Sequence, residues 1–171
     1  MVGYSELLQT MAAMIIFSMI LLNANLMIHR NTVMQIDGEL EQEVIALGQE
    51  IIEEAHTKEF DQVTVGKNLP PANIPGDFTG HNSLGTDGEG SRRYYNDFDD
   101  YDGHFEIART QHGNFEINVE VVYLDENTML PVSAKSTFKK IIVTITSEFL
   151  RDNAGNLKNY RLEFIRNYYA D

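Results

Sequence analysis

The chain contains no cysteine, which excludes disulfides, zinc-thiolate and iron-sulfur centres and thiol catalysis. No basic residue precedes Glu6, and no formal charge of either sign occurs across the 22 residues from Leu7 to Ile28. That order differs from an ordinary secretory leader, which runs from basic residues to a short apolar core and a small-residue cleavage site. Proline is absent before Pro70. Basic residues are scarce throughout: 13 Lys and Arg stand against 26 Asp and Glu, a formal net charge of -13. A phosphate backbone would be repelled on average, so nucleic acid is not expected as a direct partner. At 171 residues the chain has room for one compact domain beyond its apolar N-terminus.

What is present begins with the apolar run itself. As a helix, Leu7 to Ile28 would extend about 33 Å at roughly 1.5 Å per residue, enough to span a bilayer core. Beyond Arg30 the apolar pattern narrows to a stripe. Val33, Ile36, Leu40, Val44, Leu47 and Ile51 recur at spacings of three and four among Asp37, Glu39, Glu41, Glu43, Glu50, Glu53 and Glu54. The spacing predicts one helix from about Ser5 to about His56, apolar all round in its first half and amphipathic in its second. Gly38 and Gly48 each weaken it by about 1 kcal/mol relative to alanine, and Asn23 and Asn25 compete for backbone hydrogen bonds near the junction.

Between residues 66 and 104 the composition turns to Gly, Pro, Asn and Asp, a long loop region of the kind that is functional or mobile in compact domains. The period then becomes two. Phe115, Ile117, Val119, Val121 and Tyr123 form one alternating set, Ile141, Val143 and Ile145 a second, and Tyr160, Leu162 and Phe164 a third, with a shorter strand over 105–108. Turn-rich connections make successive strands antiparallel neighbours. The expected organisation is an apolar membrane or filament-core helix half over 1–30 and a globular domain over 31–171. That domain comprises the amphipathic helix half 31–57, the loop region 66–104 and an antiparallel sheet over 105–169. The fold class is α+β, with the helix stripe covering the apolar face of the sheet.

The segments YSELLQTMAAMIIFSMILL and STFKKIIVTITSEFL, set in this layout, resemble the type IV pilin and pseudopilin superfamily. In that family a glutamate is the fifth residue of the mature chain; here Glu6 is fifth if Val2 is the mature start. The resemblance implies a structural filament subunit with no enzymatic activity; no cofactor is expected other than calcium at the aspartate-rich loop 97–102. It implies subunit assembly through Met1 and Glu6, the glutamate pairing with the N-terminal amine of the adjacent copy. It also implies a filament core packed from Leu7, Met11, Met14, Ile15, Phe17, Ile20 and Leu21. The partners so implied are further copies of the chain in a helical homopolymer, the pilus assembly machinery, and the membrane before assembly. The implied location is an extracellular filament at the cell surface. By charge alone, His29 and Arg30 after the apolar run favour the opposite, cytoplasmic placement of the domain. A carboxylate at the edge of hydrocarbon is costly and therefore functional by default. The alternative reading is a monomeric single-pass membrane-anchored envelope protein with a binding domain, in which Glu6 is solvated among headgroups. A remoter one is an envelope enzyme with the 66–104 loop as a lid.

Other motifs carry less. Asp97, Asp99, Asp100 and Asp102 gather around Gly103, an oxygen-rich loop of the kind that holds calcium, although the spacing is not that of an EF-hand. Ser136 and Lys139 spell S-x-x-K but lead into a strand, where that catalytic pattern does not operate. Gly85, Gly88 and Gly90 lack the strand and lysine of a phosphate loop. His29, His56, His81, His104 and His112 are scattered without ligand spacing, which suits surface or capping roles. Arg92, Arg93, Tyr94 and Tyr95 form the one basic, aromatic cluster, suited equally to an acidic neighbour or to the domain's own surface.

Overall fold

The computed structural model describes residues 3–67, 69–152 and 155–170. One helix, α1, runs without interruption over Tyr4–His56. Five strands follow: β1 (Phe105–Thr110), β2 (Gly113–Leu124), β3 (Pro131–Val132), β4 (Phe138–Thr146) and β5 (Tyr160–Asn167). They form one antiparallel sheet in the order β1-β2-β4-β5, with β3 paired to the end of β2. The α+β class is as the sequence predicts. The two-residue strand β3 was hidden in what reads as a turn-rich connection, because a two-residue run has no period.

The chain divides into two compact units, residues 1–41 and 42–171. In the first, α1 carries an almost wholly exposed surface, and Val33 and Ile36 of the expected stripe are exposed with it. The buried stripe of the second unit is Val44, Gly48, Ile51 and Ala55, at spacings of four, three and four that keep one helical face on the sheet. At Gly48 the helix backbone comes close to side chains of the sheet. A Cβ built there would lie 3.0 Å from both Leu162 Cδ atoms and 3.4 Å from Ile145 Cδ1. The residue that costs helix propensity is thus the one whose missing side chain lets the helix seat.

Opposite the helix, Phe115, Ile117, Tyr123, Ile141, Val143 and Ile145 are fully buried, as their alternation requires. Glu116, Asn118 and Glu120 on the other face are exposed. That face is not uniformly polar: Val122, Leu124 and Ile142 form a second small buried cluster with Phe138 against it.

The region from 66 to 104 is irregular, with short 3-10 turns at His81–Ser83, Arg92–Tyr94 and Asp99–Tyr101. It is nevertheless tied down by hydrogen bonds. Glu59 and Asp97 form a parallel bridge, through Glu59 N–H to Asn96 O at 3.2 Å and Phe98 N–H to Glu59 O at 2.9 Å. Gly103 N–H donates to Val119 O and Val119 N–H to His104 O, extending the ladder beyond the start of β1.

Candidate functional site

Two places hold the chemistry that the sequence singles out, one in each unit. In the first, Glu6 lies in the opening turn of α1, and its Oε2 accepts a hydrogen bond from Gly3 N–H at 3.1 Å, where a carboxylate also complements the helix dipole. Met1, the expected partner position, lies outside the described residues. Leu7, Met11, Met14, Ile15, Phe17, Ile20 and Leu21 are 48–70 % exposed and circle the helix. Polar side chains within this stretch bond back to their own helix: Thr10 Oγ1 donates to Leu7 O, Ser18 Oγ to Met14 O and Asn23 Nδ2 to Met19 O, each at 2.8 Å. Asn23 thus competes for a backbone carbonyl as the sequence suggests, while α1 stays continuous, and its amide is satisfied against the preceding turn, the arrangement a polar residue needs in an apolar surrounding. This helix is long and apolar enough to cross a membrane, with a window of mean hydropathy 2.1 of which none is buried.

The second place is centred on Lys139, which sequence reasoning passed over as part of an idle S-x-x-K. Its position was legible by parity: Ile141, Val143 and Ile145 face the helix, so Lys139 must face it too. Across the sheet it sits in one row with Tyr123 of β2 and Arg166 of β5. The Lys139 side chain is 0 % exposed. Its Nζ donates to Asp99 Oδ1 at 2.6 Å, Asp61 Oδ2 at 2.8 Å and Phe60 O at 2.8 Å, which uses all three of its protons. The rings of Phe60, Tyr123 and Phe78 wall it, with centroids 4.6, 5.3 and 6.0 Å away. Arg166 Nη1 donates to Lys58 O at 2.7 Å, so two cations from the sheet hold the chain as it leaves α1.

Asp61 is itself richly hydrogen-bonded. It caps the turn at Gln62–Thr64, accepts Thr79 N–H on both oxygens at 3.1 and 3.0 Å, and accepts Thr79 Oγ1 at 3.2 Å. Tyr123 donates its hydroxyl to Thr79 O at 2.8 Å and lies 3.3 Å from Asp61 Oδ2. Burial, reinforced by the neighbouring Asp61 charge, pushes the Tyr123 hydroxyl well above its ordinary range, so it stays a donor.

The four aspartates expected as a calcium loop are placed for other work. Asp99 meets Lys139. Asp97 Oδ1 accepts Asp100 N–H at 3.0 Å, while Asp100 Oδ2 accepts the N–H groups of Asn96 and Asp97 at 2.7 and 3.2 Å. Asp102 Oδ1 accepts Val121 N–H at 2.8 Å. Among the described residues no three His, Asp or Glu side chains form a group that could hold a metal ion. The cation at this loop is the Lys139 ammonium. Burial, with Asp99 and Asp100 adding their negative charge, raises Asp97 to about 8. Burial also raises Asp99, against the opposing pull of Lys139.

The basic, aromatic cluster divides. Arg92 turns inward, its Nε 2.8 Å from Glu54 and its two terminal nitrogens 2.9 and 3.1 Å from Glu106 and Glu50. Tyr95 is buried against Tyr101 and His104, whereas Arg93 and Tyr94 remain exposed. His104 lies 3.2 Å from Glu106, and His112 lies 2.6 Å from Glu43.

No protein-family model, curated protein or solved structure matches this chain.

Proposed function

We propose that this chain is a structural subunit of a type IV pilus-like extracellular filament, held in a membrane by its apolar helix half before assembly. The observation that carries the reading is a helix half exposed on every side, mostly apolar and free of formal charge from Leu7 to Ile28, with a single carboxylate at its lip. Such a surface must be covered, by lipid or by other helices, and covering it yields about 25 cal/mol per Å² of apolar area. Ala12, Ala13, Ser18 and Ala24 leave room for close helix contacts, and Met11, Met14 and Met19 adapt to whatever lies beside them. Copies stacked with an axial offset make heterologous contacts that do not close, which generates a fibre. In that arrangement Glu6 meets the N-terminal amine of the adjacent copy in a low-dielectric surrounding, and the pair fixes the register.

Negative-stain microscopy of material sheared from cells tests this directly. Thin fibres containing the chain are expected, and Glu6→Ala is expected to abolish its incorporation while the sheet domain stays folded. Detergent-soluble monomers alone, with no fibres, would instead make the chain a single-pass anchor for a binding domain.

A further inference from the structure

The Lys139 site has a property that ion pairing does not require. A primary amine and two carboxylates are sealed together, Lys139 and Asp61 at 0 % and Asp99 at 1 % exposure, inside a wall of aromatic rings. Holding reactants in contact in a water-excluded site replaces the improbable encounter of a bimolecular condensation with a single intramolecular step. Desolvation also acts on the reactants unequally with the product, because an ammonium and a carboxylate are costly to keep in a dry interior and an amide is not.

We propose that Lys139 and Asp99 become joined by an intramolecular isopeptide bond, with Asp61 as the proton relay. The roles follow from the hydrogen bonds. Asp61 accepts from Thr79 N–H, Thr79 Oγ1 and Val63 N–H as well as from Lys139, so its carboxyl is fixed in place beside Nζ and serves as the relay. Asp99 meets Nζ at the shortest contact of the set, 2.6 Å, and is the acyl donor. One ammonium proton passes through Asp61 to a carboxylate oxygen of Asp99, and the freed nitrogen lone pair attacks Asp99 Cγ. A C–N bond forms, giving a tetrahedral centre. A second proton leaves the nitrogen by the same relay to the same oxygen, the C–O bond breaks, and water departs. The three protons of the ammonium end as two on water and one on the amide, and Asp61 returns to its starting state. Nothing is oxidised or reduced, so no co-reactant is needed. The product is a covalent tie between β4 and the 3-10 turn at Asp99–Tyr101, independent of whether the chain assembles into fibres.

Intact-mass measurement of the purified full chain in detergent tests the bond. The folded protein is expected to be lighter than its encoded mass by one water, and a protease digest is expected to yield one branched peptide joining residues 99 and 139. Lys139→Arg keeps a cation that can pair with both carboxylates and is expected to restore the encoded mass and to unfold at lower denaturant concentration. Asp61→Asn removes the relay and is expected to leave the encoded mass in chain that still folds. An Asp-Gly succinimide at Asp37, Asp87 or Asp102 would also lose one water, but it regains it in mild alkali and gives no branched peptide. An encoded mass in the folded wild-type chain, or a water loss that maps to such a succinimide, overturns the proposal.

Discussion

At the scale of single residues, the buried row of the sheet shows what alternation reveals and what it does not. Parity alone places Lys139 and Tyr123 on the helix-facing side, since each continues an inward set. Parity is silent about who neutralises the lysine, because Asp61 and Asp99 arrive from segments 78 and 40 residues away with no period of their own. The same blindness made four aspartates look like one cation loop, when three of them accept backbone N–H groups and the fourth meets an amine. Asp97 makes the testable case. Among the described residues its Oδ2 has no hydrogen-bond partner, and burial raises its carboxyl to about 8. In the folded state it therefore keeps its proton up to about pH 8, whereas an unfolded aspartate releases it near pH 4. Between those values the folded chain binds more protons, so this residue makes stability fall as pH rises, and above about pH 8 the whole penalty is felt. Asp97→Asn removes the ionisable group and still accepts Asp100 N–H through Oδ1. Thermal unfolding should show the variant gaining on its parent as the pH is raised from about 5 to about 9. A constant difference across that range would place the unpaired charge elsewhere.

At the scale of elements, long periodic segments were readable and short or aperiodic ones were not. α1 and the three principal strands follow from their periods, whereas β3 and the pinned path of residues 66–104 depend on hydrogen bonds between distant parts of the chain. Gly48 belongs to the second kind. Sequence alone assigns it a propensity cost, and only Leu162, whose Cδ atoms would lie 3.0 Å from a Cβ added there, gives the reason for it. Gly48→Leu should lower stability by about 2 to 3 kcal/mol through overpacking, measured as a shift in denaturation midpoint, despite leucine's better helix propensity. An unchanged midpoint would mean the helix does not press on the sheet there. Arg92 fastens the same helix from the side. Its guanidinium, 17 % exposed, ties Glu50 and Glu54 of α1 to Glu106 of β1, and removing it leaves three glutamates facing one another. Arg92→Ala should cost about 1 to 2 kcal/mol at low ionic strength, a figure moderated by the exposure of the glutamates. Added salt should narrow the gap between variant and parent by screening the residual repulsion. A salt-independent loss would point to the packing of the Arg92 stem.

For the molecule as a whole, the decisive contrast is between a first unit with nearly all its apolar side chains exposed and a second with a large buried core. The second unit contains every member of the Lys139 site, the Arg92 cluster and the whole sheet. Residues 3–30 are all exposed, so the core is expected to hold without that segment, on which the burden of solubility falls. A chain beginning at residue 31 should remain in solution without detergent, sediment as a monomer, and unfold cooperatively with a midpoint within a few degrees of the full chain's. The full chain, with some twenty apolar residues uncovered, should need detergent, lipid or its own copies to stay dispersed. The two measurements bear on different claims. If the shortened chain aggregates or melts without cooperativity, the sheet domain needs the apolar helix for its own folding. If the full chain is a detergent-free monomer, the exposed helix surface is not a docking surface at all, and the filament reading loses its physical basis.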